Sequence, residues 1–337
     1  METKDRIIII AEAGVNHNAS MEMAKQMVHE AAKAGADYVK FQTAVPELVI
    51  SSIAPKAEYQ KETTGNVESQ LEMCKAIHLP LSAYSELAEL CKEVGIGFMS
   101  TPFDLVSIDT LAPLQMDYWK IPSGEITNLP YLRKIASKGG KVILSTGMST
   151  LSEVKEAVDI LVAGGIARHD IYLLHCTTQY PTPMQDVNLR AMLSLGELNV
   201  GGIGYSDHTL GIEVPIAAAA LGARVIEKHF TLDKSLPGPD HRASLNPAEL
   251  GAMVKAVRNI EKALGSGKKI VADSERGNIE VARKSIVAAR DIKRGEHFTE
   301  ENITVKRPGN GISPMNWDNV IGKIATKDFL YDSLIEL

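Results

Sequence analysis

RVIEKHF, residues 224–230, is a short apolar run that ends on the ionisable side chains Glu227, Lys228 and His229. The same form occurs seven times before it. In chain order these runs are IIIIAEAG (7–14), YVKFQT (38–43), GFMSTPFD (97–104), YWKIPSGE (118–125), KVILSTGMS (141–149), IYLLHCTT (171–178) and GGIGYSDH (201–208). Strands buried on both faces read as continuous Val/Ile/Leu-rich runs, whereas half-exposed strands alternate. Helix-length amphipathic segments separate the runs. Eight βα units predict an α/β fold of the (β/α)8 TIM-barrel type, which takes ~250 residues and carries its active site at the carboxyl ends of the strands. An enzyme is therefore the default reading.

Helix boundaries are legible. Ser20 precedes MEMAKQMVHEAAKAG, which stops at Gly35. Ser149 precedes TLSEVKEAVDILVAGG, and Pro247 opens AELGAMVKAVRNIEKALG, the expected eighth barrel helix, with Gly265 as its stop. The connection over residues 44–80 is longer than a barrel needs and is expected to hold at least one short helix. Long connections of this kind are commonly functional lids. Composition changes after the eighth helix. Residues 1–265 read as the barrel domain, 266–282 as a Gly-, Ser- and charge-rich linker, and 283–337 as a small C-terminal domain. About 55 residues are marginal for independent folding, so this tail is expected to pack on a barrel, its own or a partner's.

The charge balance, formally −6 over 337 residues, has no long Lys/Arg block. That argues against a nucleic-acid partner. No stretch is apolar for ~20 residues, so no membrane span is expected. METKDRIIII is too acidic and too short in its apolar part for a signal peptide. Cys74, Cys91 and Cys176 show neither pairing nor ligand spacing, which suits a reducing, cytoplasmic setting. Cys176 reads as a small core residue rather than a nucleophile.

His208 and His229 end the seventh and eighth strands, which are neighbours in a barrel. Two imidazoles so placed suit an exchangeable divalent ion with open positions better than a structural zinc. Glu125 and Asp240 at the same rim would add oxygen ligands or hold metal-bound water. A lone strand-end histidine is more simply a satisfied polar group, but two on adjacent strands favour metal. Lys40, Lys120, Thr101, Ser123, Ser145 and Ser206 make an anion-friendly set. Local backbone capping accounts for any one hydroxyl, whereas the set together favours phosphate or carboxylate recognition. A strand-end lysine could instead form a Schiff base, and that ranks second. Glu12 is an acid/base candidate or a partner for Lys40 and Lys120. His17 and Asn18 read as loop-structuring residues. Arg307, in RPGNG, suits a carbonyl or carboxylate, though a surface turn with an incidental Arg fits equally well.

The segments AEAGVNHN, VKFQT, STPFD, KIPSGE, LSTGMST, LHCTTQYPTP, YSDHT, EKHFTLDK, PGPDH and KRPGNGISP, in one order over nearly the whole chain, resemble the sialic acid synthase family. The resemblance implies a TIM barrel joined to a C-terminal antifreeze-like (SAF) domain. It implies metal-dependent condensation of phosphoenolpyruvate with N-acetylmannosamine and water, giving N-acetylneuraminate and phosphate. The alternative is a sibling that acts on 2,4-diacetamido-2,4,6-trideoxymannose and makes N,N'-diacetyllegionaminate, because SSIAPKAEYQKETTGNVESQLEM and HCTTQYPTP resemble both groups.

By motif, the resemblance makes His208 and His229 the metal ligands, with Mn²⁺ commonly used and Mg²⁺ or Co²⁺ possible. Glu125 and Asp240 would hold metal-bound water and sugar hydroxyls. Lys40, Thr101, Lys120, Ser123, Ser145 and Ser206 would cradle phosphoenolpyruvate, and Glu12 would handle a proton or water near its reacting carbons. Gln42 and Tyr180 would touch the sugar, and Arg307 would reach its N-acetyl group from the partner subunit of a domain-swapped homodimer. Thr178 departs from the pattern, since some sialic acid synthases have Asn there. Rival readings are a Schiff-base aldolase using Lys40 or Lys120, and a carbohydrate-binding protein without turnover.

Overall fold

The computed structural model describes residues 6–65 and 68–337, so the first five residues of the N-terminal stretch read above lie outside the described residues. Two compact units divide the chain, Met1–Gly265 and Ser266–Leu337. In the first unit eight parallel strands alternate with helices. The strands are β1 (Ile8–Gly14), β2 (Tyr38–Thr43), β3 (Gly97–Pro102), β4 (Tyr118–Ile121), β5 (Lys141–Ser145), β6 (Ile171–His175), β7 (Gly202–Asp207) and β8 (Val225–His229). Each lies within one of the eight apolar runs. They are ordered β3-β2-β1-β8-β7-β6-β5-β4. The β1–β8 ladder closes the first strand onto the last. β3 and β4 lie side by side, with no ladder between them among the described residues, so the ring is nearly closed.

The helices of this unit are α1 (Met21–Ala34), α2 (Pro46–Val49), α3 (Glu58–Thr64), α4 (Gln70–Ile77), α5 (Ala83–Val94), α6 (Leu105–Leu111), α7 (Leu129–Lys138), α8 (Leu151–Ala163), α9 (Ala191–Ser194), α10 (Glu213–Ala220) and α11 (Pro247–Leu264). Ser20 caps α1 by accepting from Met23 N, and Gly35 ends it at φ 83°, a conformation glycine adopts without a Cβ penalty. The cap of α8 falls on Thr150, one residue after Ser149, because Glu153 three residues on completes a reciprocal capping box. Asn246 and Glu249 do the same for α11.

Period-two alternation sorts each strand's side chains into two layers. Outward residues such as Ile9, Val39, Leu144, Leu173 and Ile226 pack against the helices in the main core. Inward residues Ile10, Met99, Ile143, Leu174 and Val225 fill the lower barrel, over edge-on contacts of Tyr118 with Tyr38 and Tyr172. Each fully buried Ile, Leu or Val contributes roughly 1.5–3 kcal/mol. The next inward layer up is polar, and that change of chemistry makes the site.

The loop after β1 is a brace. Fully buried Asn16 donates through Nδ2 to Phe230 O and Ser244 Oγ, both at 2.9 Å. Asn18 donates to Pro237 O at 2.9 Å. His17 Nδ1 accepts from Ala19 N at 3.2 Å. These contacts fix the segment that presents Asp240.

The second unit has its own core of Ile286, Ala288, Ile292, Phe298, Ile303, Val320, Ala325, Phe329 and Ile335. β9 (Ser285–Ala288) and β10 (Ile303–Lys306) pair antiparallel. Within residues 266–282, which read as a linker, α12 (Arg276–Ala282) forms. The last helix, α13 (Trp317–Val320), is followed by residues 321–337, which bridge back to the rest of the unit through Ile292–Phe329 and Val287–Leu334.

Two outcomes follow for stability. A Cβ at Gly204 would press on the Val225 carbonyl and come within 2.7 Å of Leu174 Cδ2. Gly204→Ala should therefore cost about 1–3 kcal/mol or more in urea unfolding, and an unchanged midpoint would refute the crowding. Burial, reinforced by His78 and His241, pushes the His17 imidazole down to about 4. The unfolded chain titrates near 6.5, so between those values it takes up a proton that the folded chain refuses. Stability should fall by on the order of 3 kcal/mol as pH drops through that window, and His17→Asn should remove that part of the slope.

Candidate active site

Ladder register assembles the site. Glu12 pairs in register with Lys40 on one side and His229 on the other. Gln42 sits opposite Thr101, and Ser206 opposite Glu227. All these side chains point inward on strands whose ends share one mouth. They line a cavity of about 310 Å³.

Its floor is a buried charge cluster. Lys40 Nζ lies 2.5 Å from Glu12 Oε2, donates to Thr101 Oγ1 at 2.9 Å and stands 3.7 Å from Glu227 Oε2. Lys120 Nζ donates to Ser145 Oγ at 2.7 Å and stands 3.8 Å from Glu227 Oε1. Ser206 Oγ donates to that same Glu227 oxygen at 3.0 Å. Gln42 Nε2 donates to Glu12 Oε1 at 3.1 Å. Burial alone would lower Lys40, but Glu12 and Glu227 hold its ammonium above the ordinary value. Burial lowers Lys120. Burial would raise Glu227, yet the two lysines hold it below the usual carboxylate range. Glu12 goes the other way: burial raises it, Lys40 opposes, and Glu227 adds to the rise. The cluster thus contains one firm anion and one carboxyl suited to carrying a proton.

One wall is aromatic. The His208 and His229 rings lie 5.5 Å apart between centroids, and Tyr180 lies 4.1 Å from His208. The Tyr59 ring, from α3, lies tilted against Tyr180 with centroids 5.0 Å apart. Burial lowers both histidines, so each is a neutral imidazole, the form that ligates metal. His208 Nδ1 is committed to Thr177 O at 2.7 Å, which leaves Nε2 for a ligand. His229 Nδ1 is buried without a hydrogen-bond partner among the described residues, 4.0 Å from Asp240 Oδ2. Burial, then Glu12, raises the Asp240 carboxyl to about 7. Two free imidazole nitrogens beside one carboxyl fit a labile divalent ion. Among the described residues no group of three or more His, Cys, Asp or Glu is placed to hold a metal ion, so the protein's own ligands at this site would be the two imidazoles.

Lys228, between Glu227 and His229, faces away from the cavity. Its ammonium is fully buried, ion-paired with Asp207 Oδ2 at 2.6 Å and bonded to Thr209 O. Asp207 also accepts from Thr209 N and Oγ1, each at 3.0 Å. This outward pair clamps the two strand ends that carry His208 and His229.

Every residue predicted for the site lines the cavity except two. The Glu125 carboxylate accepts from Asn128 Nδ2 at 2.6 Å and stays off the cavity wall. Arg307 belongs to the second unit, is exposed, and donates through Nε to Ala282 O at 3.2 Å. Thr178 is on the wall, its methyl covering Gly147, where a Cβ would lie 2.8 Å away. Ser123 Oγ accepts from Gly147 N at 2.9 Å and touches Cys176 Sγ at 3.3 Å, and burial raises the Cys176 thiol. Glu227 was not among the predicted residues. Its signal is an acid in an apolar strand at the same parity as His229.

The connection over 44–80, expected to hold at least one short helix, holds three, α2, α3 and α4, and they wall the mouth. Among the described residues no helix is long and apolar enough to cross a membrane.

A barrel that gathers paired lysines, carboxylates and neutral imidazoles over one cavity at its strand ends defines an enzyme. The chain belongs to the NeuB family, whose model matches residues 27–269, and residues 283–336 match the SAF domain. It is 54% identical to the N,N'-diacetyllegionaminic acid synthase of Campylobacter jejuni, over 98% of this chain and 99% of that one. The N,N'-diacetyllegionaminic acid synthase of Legionella pneumophila is 48% identical over 93% of this chain and 89% of its own. Among solved structures, the N-acetylneuraminic acid (sialic acid) synthetase of Leptospira borgpetersenii, in complex with citrate, superposes with a TM-score of 0.71. It is 35% identical and covers 82% of this chain and 91% of that one. The barrel and the SAF domain are thus those expected from sequence.

Removing one partner of a buried pair strands the other charge, at a cost of about 3–5 kcal/mol. Asp207→Asn should lose that much in urea unfolding at pH 7. A loss under about 1 kcal/mol would show that the pair is not a clamp.

Proposed function

We propose that this enzyme condenses phosphoenolpyruvate with open-chain 2,4-diacetamido-2,4,6-trideoxymannose and water, giving N,N'-diacetyllegionaminate and phosphate. The observation that carries the choice of sugar is the near-full-length identity of 54% and 48% to synthases of that product, against 35% to a sialic acid synthetase. N-acetylmannosamine, the sugar favoured on sequence alone, becomes the second choice.

The site chemistry supports a reaction of this kind. C3 of the enol phosphate attacks the aldehyde carbon, water adds at C2, and the tetrahedral intermediate collapses by C–O cleavage with loss of phosphate. Lys40 and Lys120, with Thr101, Ser123, Ser145 and Ser206, surround one volume suited to phosphate and carboxylate oxygens. In the free enzyme their ammoniums are held by Glu12 and Glu227. An incoming phosphate competes for Lys40, and Glu12, already raised by burial, is the carboxyl placed to take a proton as it lets go. Gln42 and Tyr180 flank the sugar's path. His208 Nε2 and His229 would hold a divalent ion, Mn²⁺ foremost with Mg²⁺ or Co²⁺ as substitutes, with Asp240 beside them. When bound, the ion supplies Lewis acidity at the aldehyde oxygen. The remaining parts of this reading are a homodimer in which the partner's C-terminal unit brings Arg307 to the sugar, Glu125 holding water or hydroxyls, and residence in the cytoplasm.

Phosphate release measured with each sugar tests the proposal. Turnover should favour the diacetamido sugar, vanish in chelator, return with Mn²⁺, and fall at least about 10³-fold in His208→Ala. Preference for N-acetylmannosamine would overturn the sugar assignment. Full turnover in chelator, with borohydride trapping on Lys120, would replace the mechanism by a Schiff base.

A further inference from the structure

The cavity has a wall that the condensation itself does not use. It comes from the insert after β2, where Ile50, Gln60, Gln70, Met73, Cys74 and Ile77 face the mouth. This wall is built from specific contacts. Buried Lys56 donates to Thr64 Oγ1 at 3.0 Å and Gly65 O at 3.1 Å, ending α3. Thr64 Oγ1 then reaches Met73 Sδ at 3.4 Å, which ties α3 to α4. Ser69 and Glu72 form a reciprocal cap at the start of α4, and Ile77 O accepts from Ala19 N at 3.2 Å. The helices are therefore anchored to each other and to the loop after β1.

Two carboxamides stand out on this otherwise apolar wall. Gln60 Oε1 accepts from Ala57 N at 3.0 Å and from Gln70 Nε2 at 3.4 Å. Those bonds fix the orientation of both groups. The Gln60 amide also donates to the Tyr59 hydroxyl, so its second N–H is left to donate to a ligand, and Gln70 Oε1 to accept from one. An acetamido group needs that arrangement: its carbonyl accepts, its N–H donates, and its methyl requires an apolar neighbour. Met73 and Ile77 supply the neighbour.

We infer that Gln60, Gln70, Met73 and Ile77 form the subsite for the second acetamido group of the sugar, at the end remote from the aldehyde. The inference rests on the proposed function, in which the sugar carries two such groups. The aldehyde end is committed to the histidines and the lysine cluster on the barrel floor, so the far end of the sugar lies toward the insert. A hydroxyl in place of the acetamido group is too short to meet both carboxamides and offers nothing to the apolar floor between them. It leaves a donor and an acceptor that the bound sugar covers without partners, which discriminates strongly between the two sugars.

Steady-state phosphate release by the full-length Mn²⁺-loaded enzyme, with the two sugars compared, is the test. Gln60→Leu and Gln70→Leu should each shrink the kcat/KM ratio of diacetamido sugar to N-acetylmannosamine at least about tenfold, chiefly through KM for the sugar. Gln60→Glu, which turns the free donor into an acceptor, should shrink the ratio further than Gln70→Glu, which keeps an acceptor in place. That ordering carries the test should the leucine variants fail to fold. An unchanged ratio in variants that turn over phosphoenolpyruvate, or the reverse order of the two glutamates, overturns the subsite. Wild-type enzyme inactive on the diacetamido sugar would instead overturn the proposed function on which the subsite rests.

Discussion

Two lysines and two glutamates buried together at the floor of the barrel are the constraint on which the rest of the structure depends. A lone ammonium or carboxylate in that position would carry a desolvation cost of several kcal/mol. The four are tolerable because each cation lies within 4 Å of an anion, as Lys40 does of Glu12 and Glu227, and Lys120 of Glu227. The arrangement is demanding, because a slip of one residue in any ladder would turn a charge outward into the helix layer. The apolar layer of Ile10, Met99, Ile143, Leu174 and Val225 beneath it locks that register. What a binding pocket gains is preorganisation: cations already oriented by protein carboxylates exchange partners when substrate arrives, with little rearrangement.

The eighth strand shows how closely stability and chemistry are interleaved. Within Glu227-Lys228-His229, the first and third residues face the cavity, and the middle one faces the helices. The inward pair would be unstable neighbours for each other's work without the outward ion pair, which ties this strand to Asp207 and thereby to the loop after His208. Asn16 plays the matching part on the other flank, holding the segments around Phe230 and Ser244 on either side of Asp240.

Much of this was legible from residues alone, for identifiable reasons. Strands buried on both faces write unbroken apolar runs, and the polar residue at the end of each run marks the mouth. That is why Lys40, Thr101, Lys120, Ser145, Ser206 and the two histidines could be gathered from one sequence. Glu227 is visible at the end of the eighth run but gets no role from sequence, because three ionisable residues in a row do not say which face the cavity until their parity is compared. Glu125 shows what a strand-end position leaves open: it does not say which way the following turn points, and in the free enzyme Asn128 holds the carboxylate off the cavity wall. The wall formed by α3 and α4 could not be read, since only folding brings Gln60 beside Gln70. The choice of sugar was beyond motif reading for the same reason. The shared motifs describe the floor, whereas the side chains of the insert at the mouth lie outside them.

The helical insert between β2 and α5 contributes few residues to the main core, chiefly Leu79 near its end, while the floor comes wholly from strands. The wall of the mouth and the charged floor are therefore encoded in largely separate stretches of polypeptide. Evolution, or a designer, can trade this cassette for another of similar span and so reshape the mouth while leaving the strands and their buried charges beneath untouched.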